Sequence, residues 1–208
     1  MNTLLDYNNL VIGIEKCFIN AESLIDDAIL LKANKRIARS YTLFQLALEE
    51  IGKASILYFF AISNDTEKVK NLKRFKNEFL NHKFKTEKAI NFDILILASL
   101  NDKDEKKKFF DLIQSEYASI DKLNNLKNYS LYTSIIDDTF LLPSEIITSD
   151  ILNEIETRTI FRLDLIKSTL NYFLQNIPST REIHNQMDDE QIELLANQFM
   201  ADFLEGNI

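Results

Sequence analysis

The chain has 208 residues, of which 46% are hydrophobic and 27% are charged, and its formal net charge is −8. This length suits one domain with a sizeable core, and the composition excludes an intrinsically disordered chain. The acidic balance also excludes a basic field over the whole molecule, as nucleic-acid-binding proteins often have, although lysines cluster within residues 68–88. A single cysteine excludes an internal disulfide and a cysteine-rich zinc site.

Glycine and proline are scarce, with three and two residues respectively. Sheet proteins need turn residues at short intervals, so this scarcity favours long helices and predicts an all-α fold. No stretch of 18 or more residues is apolar and free of charge, and the first residues lack the pattern of a signal peptide. We therefore expect a cytoplasmic protein with no membrane partner.

The first half of the chain predicts three helices in succession. Apolar residues recur at helical spacing in residues 8–33, and Asn34 is expected to end this first helix. Residues 36–62 are apolar on most faces, which predicts the central, buried helix. A third helix is expected over residues 66–86, with lysines around a narrow apolar face.

The second half begins with residues 90–100, which are ambiguous between a buried helix and a strand, and the length favours a helix. A polar turn at 101–108 then leads into a long helix. Residues 128–147 break the helical pattern and predict an irregular insertion, with a short β-pair that ends at Pro143.

The last part of the chain predicts a helix from Thr148 or Ser149 to about residue 176, a break at 176–179, and a further helix from the capping motif STRE. A final helix is expected to close at Gly206. Residues 1–208 are thus predicted to form one all-α bundle domain of six to eight helices.

The central helix carries charges inside an apolar run, LALEEIGKASILYFF. Charged groups in such a setting are costly unless they are paired or functional. One interpretation is an exposed edge with a salt bridge between Glu49 and Lys53, which are four residues apart. The other is a polar side that faces a cleft and includes Arg39, Thr42, Glu49, Glu50 and Lys53.

His82 is predicted on the inward face of the third helix, and Lys85 lies one turn beyond it. Such a histidine is either a hydrogen-bonded core residue or a general acid or base. Histidine-rich metal motifs are absent, so neither a metal nor a cofactor is expected. Gly52 predicts a close approach between two helices.

Three blocks of the sequence, in order, resemble the AbiV abortive-infection family. The first and most specific is NAESLIDDAILLKANKRIARSYTLFQLALEEIGKA, followed by FLNHKFK and LKNYSLYTSIIDD. The resemblance implies a helical fold of the HEPN superfamily, often homodimeric, and a role in bacterial defence against phage. In that role the translation or RNA metabolism of the infected cell is shut down. The signature positions carried over are Asn20, Arg39, Glu49, Glu50, Lys53, His82, Lys85 and Tyr132.

Many HEPN proteins are metal-independent ribonucleases that use an arginine and a histidine separated by four to six residues. This chain departs from that pattern, because seven residues separate Arg74 from His82. Lys76 has the right separation but lacks the guanidinium group that clamps a phosphate.

Two functions remain open from the sequence. In a ribonuclease, His82 would move a proton, Glu49 or Glu50 would orient it, and a cation would stabilise the phosphate. The candidate cations are Lys53, Lys85 and Arg74, and the further residues expected to bind a ligand or partner are Asn20, Arg39, Lys83 and Tyr132. In the alternative, the protein is a non-catalytic toxin or sensor. The partners expected are a second copy of the chain, RNA, a phage-encoded activator protein or a translation component.

Overall fold

The computed structural model describes residues 6–63, 65–99, 103–186 and 191. Within these residues it contains seven helices and one β-hairpin, so the predicted all-α class is confirmed. None of the helices described is long and apolar enough to cross a membrane. The elements are α1 (Tyr7–Ala33), α2 (Ile37–Ile62), α3 (Asp65–Leu80), α4 (His82–Ser99), α5 (Lys103–Leu131), β1 (Ser134–Ile136), β2 (Thr139–Leu141), α6 (Pro143–Ile146) and α7 (Ser149–Gln186).

Helix α2 is the central helix of the fold, as the sequence predicts. It contacts α1, α4, α5 and α7, and most of its residues are buried. Four of its large side chains, Tyr41, Phe44, Leu48 and Ile51, are at most 1% exposed. Because α2 is surrounded, a charged group buried on it is costly unless another side chain pairs with it.

Gly52 lets α2 and α4 approach closely, which confirms its predicted role. A Cβ atom built at Gly52 would lie 1.8 Å from the carbonyl oxygen of Lys85, which no side chain can occupy. The glycine therefore brings the first turns of α4 directly against the middle of α2.

The predicted third helix, residues 66–86, is wrong in one respect that affects the site. Helix α3 ends at Leu80, and His82 is the first residue of α4. The separating residue is Asn81, whose side-chain oxygen accepts a hydrogen bond from the backbone N–H of Phe84 at 3.1 Å and so caps α4. The ambiguous residues 90–100 continue α4 as a helix as far as Ser99.

The predicted insertion at 128–147 is partly helix. Helix α5 continues to Leu131, and the short β-pair then follows as antiparallel strands β1 and β2. The two residues between them, Asp137 and Asp138, have φ values of 48° and 59°. This left-handed pair matches the twist of a tight hairpin. Pro143 ends the hairpin segment and begins the short helix α6.

The break predicted at residues 176–179 does not occur, because α7 passes through Pro178. A proline cannot donate to the carbonyl four residues earlier, which here belongs to Leu174. The hydroxyl of Tyr7 donates to that carbonyl at 3.3 Å, and Ile177 is fully buried. Tertiary contacts therefore keep the helix intact. The predicted final helix that closes at Gly206 lies outside the described residues.

Candidate functional site

The carboxylate of Glu49 on α2 contacts three side-chain nitrogen atoms, although the side chain is only 3% exposed. Its Oε2 lies 2.5 Å from Nδ1 of His82 and 3.1 Å from Nζ of Lys85, both on α4. Its Oε1 accepts a hydrogen bond from Nζ of Lys127, on α5, at 2.7 Å. We call these four residues the Glu49 cluster. The charge in the apolar run of α2 is thus paired with residues from two other helices.

The cluster keeps Glu49 ionised. Burial alone would raise the pKa of this carboxyl group, but hydrogen bonds from Lys127 and His82 and the charges of Lys127 and Lys85 together outweigh it. The net result is a pKa below the ordinary value for glutamate. At neutral pH the centre of the cluster is therefore a carboxylate.

His82 combines an anchored ring nitrogen with an exposed ring. The short contact to a carboxylate places the proton on Nδ1, because a carboxylate only accepts. Lys85 Nζ lies 3.3 Å from Nδ1, and these two donors share Oε2 of Glu49 as their acceptor. The side chain is 57% exposed, so the interpretation of His82 as a core residue is wrong. Nε2 has no protein partner among the residues that the structure describes.

Further polar contacts along α2 hold the two neighbouring helices in register. The amide of Gln45 donates to the hydroxyl of Thr86 at 3.1 Å, and that hydroxyl donates to the carbonyl of His82 at 3.3 Å. One turn earlier on α2, the hydroxyl of Thr42 makes a hydrogen bond of 2.7 Å with the hydroxyl of Ser130 on α5. Thr42, Gln45 and Glu49, which we call the polar seam, thereby fix the orientation of His82 and Lys127.

A family model described as AbiV, of the HEPN type, matches residues 9–161. The chain belongs to the AbiV family. The match covers most of the chain and contains the whole Glu49 cluster and the polar seam, so the resemblance seen in the sequence is confirmed. No curated protein and no solved structure matches the chain.

Glu50 and Lys53 of this AbiV protein lie outside the Glu49 cluster and pair with each other. Lys53 pairs with Glu50 at 2.5 Å, so the expected pair between Glu49 and Lys53 is wrong. The reason is rotation about the helix axis: Glu49 is directed to α4 and α5, whereas Glu50 is 100° further round. There Glu50 hydrogen-bonds the thiol of Cys17 on α1, and Lys53 lies 5.5 Å from the ring centre of Phe79.

Two exposed cations near His82 in the sequence, Arg74 and Lys83, are engaged at the surface. Arg74 pairs with Glu78 at 2.6 Å, and its side chain is 74% exposed. Lys83 pairs with Asp121 at 2.7 Å, and the hydrogen bond to that carboxylate raises the pKa of Lys83. Exposed ion pairs are weak, so each of these cations can release its carboxylate and bind another anion instead.

The remaining predicted residues of the AbiV signature lie on the surface. Arg39 is exposed and donates from Nη1 to the carbonyl of Leu131 at 3.3 Å, at the end of α5. Tyr132, the next residue, is 65% exposed, and Asn20 is exposed on α1. None of the three has a hydrogen bond or ion pair with the Glu49 cluster among the described residues.

Sequence analysis missed Lys127 and a second buried ionic group in the AbiV fold. Arg162 of α7 binds Asp93 of α4 through Nε at 2.7 Å, and it also pairs with Glu116 of α5. Burial raises the pKa of Asp93 despite the arginine. Asp93 stands in the apolar run INFDILILASL, which is the same signal that revealed Glu49. Lys127 has no such signal, because apart from Leu126 its nearest neighbours in the sequence are polar.

A metal site has no support in the described part of the chain. Within it, no group of three histidine, cysteine, aspartate or glutamate side chains is placed to hold a metal ion. The side chains of the Glu49 cluster can themselves transfer a proton and stabilise charge.

Proposed function

We propose that this AbiV protein is an abortive-infection effector that blocks translation or RNA metabolism in the phage-infected cell. It acts in the cytoplasm as a metal-independent ribonuclease with His82 as the acid and base. Membership of the AbiV family supports the defensive role. The observation that carries the chemistry is an exposed imidazole whose Nδ1 is held by the buried carboxylate of Glu49.

A histidine held in this way is suited to remove the proton of a ribose 2′-hydroxyl. The carboxylate fixes the proton on Nδ1, so Nε2 presents its lone pair, and it stabilises the imidazolium that forms. The 2′-oxygen then attacks the adjacent phosphorus as the bond to the 5′-oxygen breaks, and that oxygen takes up a proton. The products are a 2′,3′-cyclic phosphate and a 5′-hydroxyl end, which identify the route.

The phosphate charge in this reaction requires a cation that can reach the surface. Lys85 is buried and shares Glu49 with His82, so it supplies positive charge from behind the ring. Arg74 and Lys83 are exposed, and each can exchange its surface carboxylate for a phosphate. Of the two, the guanidinium of Arg74 has the geometry that fits two phosphate oxygens.

The second candidate is a non-catalytic effector that binds a phage protein or a component of translation. The nearby cations favour this candidate because each is already paired with a carboxylate. These cations are Lys53, Lys85, Arg74 and Lys83. The net charge of −8 also opposes RNA binding over the whole surface. In this case the Glu49 cluster fixes the packing of α2, α4 and α5.

Cleavage of RNA by purified protein distinguishes the two candidates. The decisive variant is His82→Asn, because the asparagine amide can still donate to Glu49 while the base at Nε2 is lost. The assay contains EDTA and is run with and without a lysate of phage-infected cells. The ribonuclease predicts cyclic phosphate ends and a rate at least about 100-fold lower in His82→Asn. Lys16→Gln, which alters an exposed charge on α1, should cleave like the wild type.

Incorporation of labelled methionine and uridine in infected cells provides the second measurement. If His82→Asn protects the culture as well as the wild type and no RNA is cleaved, the ribonuclease is contradicted and the binding candidate stands. Loss of both protection and cleavage in His82→Asn, with a normally folded variant, supports the ribonuclease.

A further inference from the structure

An open cavity of about 540 Å³ lies at the start of α2, beside the segment that connects α6 to α7. This volume is within the range of small-molecule sites. Its lining contains three basic side chains, three hydroxyl groups and no carboxylate. The basic and hydroxyl-bearing lining residues are Lys35, Arg36, Arg39, Ser144, Thr148 and Ser149.

The three basic residues form a positive cluster without a negative partner. None of Lys35, Arg36 and Arg39 has an ion pair among the described residues, and the hydrogen bond that Arg39 makes is to the carbonyl of Leu131. Positive charges at this spacing repel each other. The chain as a whole carries a net charge of −8, so the cluster is not the consequence of a general excess of lysine and arginine. A bound anion would remove the repulsion.

Lys35 occupies a backbone conformation that normally belongs to glycine. Its φ is 58°, in the left-handed region, at the position directly after the cap of α1. A side chain there costs about 1 kcal/mol relative to glycine. A lysine at this position places a positive charge at the mouth of the cavity at the expense of backbone strain.

The backbone N–H groups at the cavity carry partial positive charge, the same sign as the charge of the basic side chains. Arg36 precedes α2 and makes no capping hydrogen bond, so the first N–H groups of α2 have no side-chain acceptor. The residues that carry them, Ile37, Ala38 and Arg39, line the cavity. Ser149, the first residue of α7, also lines it. The positive end of α2 thus adds to the charge of the basic cluster.

We propose that this cavity binds a phosphate group, carried either by a nucleotide or by the backbone of RNA. The basic side chains supply the charge, and the hydroxyl groups and free N–H groups supply hydrogen bonds to the phosphate oxygens. Arg39 precedes Glu49 by ten residues, which is about 15 Å along α2. At the rise of about 3.4 Å per nucleotide of a stacked strand, a strand bound at His82 would span that distance in about four to five nucleotides. The site exists independently of cleavage at His82.

Binding is tested with the full chain, a fluorescent 12-nucleotide RNA and ATP, over a series of salt concentrations. The variant is Lys35→Gly combined with Arg36→Gln, and the control is Lys16→Gln, an exposed lysine far along α1. Because Lys35→Gly removes backbone strain as well as charge, the fold is retained, and thermal unfolding verifies this. We expect the double variant to lose at least about tenfold in affinity. For RNA, the slope of log affinity against log salt should fall by about 0.7 for each lost phosphate contact.

The outcomes separate the two sources of phosphate. Binding of ATP that displaces the RNA supports a nucleotide as the ligand, whereas RNA binding that resists ATP supports the RNA backbone. Equal affinity of the wild type and the double variant, an equal loss in Lys16→Gln, or no binding of either probe at 50 mM salt would overturn the proposal. The affinities are measured without reference to cleavage, so failure of the ribonuclease does not affect this result.

Discussion

At the scale of single residues, Glu49 is the side chain on which the others depend. Lys85 and Lys127 have side chains only 6% and 7% exposed, and Glu49 is the carboxylate that both contact. Glu49→Gln preserves the shape of the side chain but leaves two buried cations without a counter-charge. We expect urea unfolding to show a loss of about 3–5 kcal/mol. Glu154→Gln, which removes the half-exposed partner of Arg158, should cost less than about 1 kcal/mol. Similar losses in both variants would contradict this assignment.

The pH dependence of stability follows from the same residue. The pKa of Glu49 is lower in the folded protein than in the unfolded chain, so its contribution is complete above the unfolded value of about 4.3. It is lost as the pH falls from there through the folded value. The stability difference between the wild type and Glu49→Gln should therefore be constant from pH 7 to about 5 and decrease below about 4. Urea unfolding at pH 7, 5, 4 and 3 measures it, and a difference that grows on acidification would contradict the expectation.

Cys17 is a residue whose chemistry is suppressed by its surroundings. Burial, and then the nearby charge of Glu50, raise the pKa of its thiol to about 12, and it is 7% exposed. Because the thiolate is the reactive form, we expect Cys17 to react with Ellman's reagent at pH 8 only as fast as the protein unfolds. Addition of urea should make one thiol per chain react at once. Rapid labelling of the native protein would show that the thiol is accessible.

At the scale of the elements, the contact between α2 and α4 depends on the missing side chain of Gly52. Gly52→Ala would place a methyl group 1.8 Å from the carbonyl oxygen of Lys85, so the two helices must separate. We expect a loss of about 3 kcal/mol and a weaker hold of Glu49 on His82. The thermal unfolding temperature and any RNA cleavage that depends on His82 should therefore both decrease.

Gly13→Ala is the matched control for this prediction. Its added methyl group meets a side-chain carbon of Leu57 at 3.1 Å, and a leucine side chain can rotate away. Alanine also gains about 1 kcal/mol in helix propensity over glycine inside α1. The expected change in stability is therefore small or favourable. A loss equal to that of Gly52→Ala would indicate that the backbone contact is not the cause.

At the scale of the whole molecule, α1 leaves an apolar stripe uncovered. Ile12, Ile19 and Leu30 recur at intervals that place them on one face, and they are 45%, 64% and 62% exposed. We propose that two copies of the chain pack through this face around a two-fold axis. Light scattering should then give twice the 24.2 kDa of one chain, and Ile19→Glu should reduce the mass to that of a monomer.

The control for the dimer is Ile135→Glu in β1, because Ile135 is 62% exposed and lies away from α1 in the sequence. It should leave the mass unchanged. A wild-type mass of 24.2 kDa at micromolar concentration would exclude the dimer. A dimer that persists in Ile19→Glu would place the interface on another face.

The sequence by itself determined the helical class, the central position of α2 and the importance of Glu49 and Gly52. These follow from local properties: the spacing of apolar residues, the scarcity of helix breakers, and a charge or a glycine inside an apolar run. The family is also carried by the sequence, because its motifs are contiguous segments. The extent of the domain over residues 1–208 and the roles of the site residues in catalysis or binding stay predictions.

Beyond the expected contact of Glu49 or Glu50 with His82, only the tertiary structure decided which groups meet. Lys127 reaches Glu49 across 78 positions of the chain, and Tyr7 reaches the carbonyl left free by Pro178 across 167. Hydrophobic periodicity indicates which face of a helix is buried, but it contains no information about which distant polar group will lie opposite. Long side chains such as lysine also adopt many rotamers, so their partners are selected by packing. For this reason the carboxylate of the site could be predicted from the sequence, whereas two of its features could not: the partner from α5 and the exposure of His82.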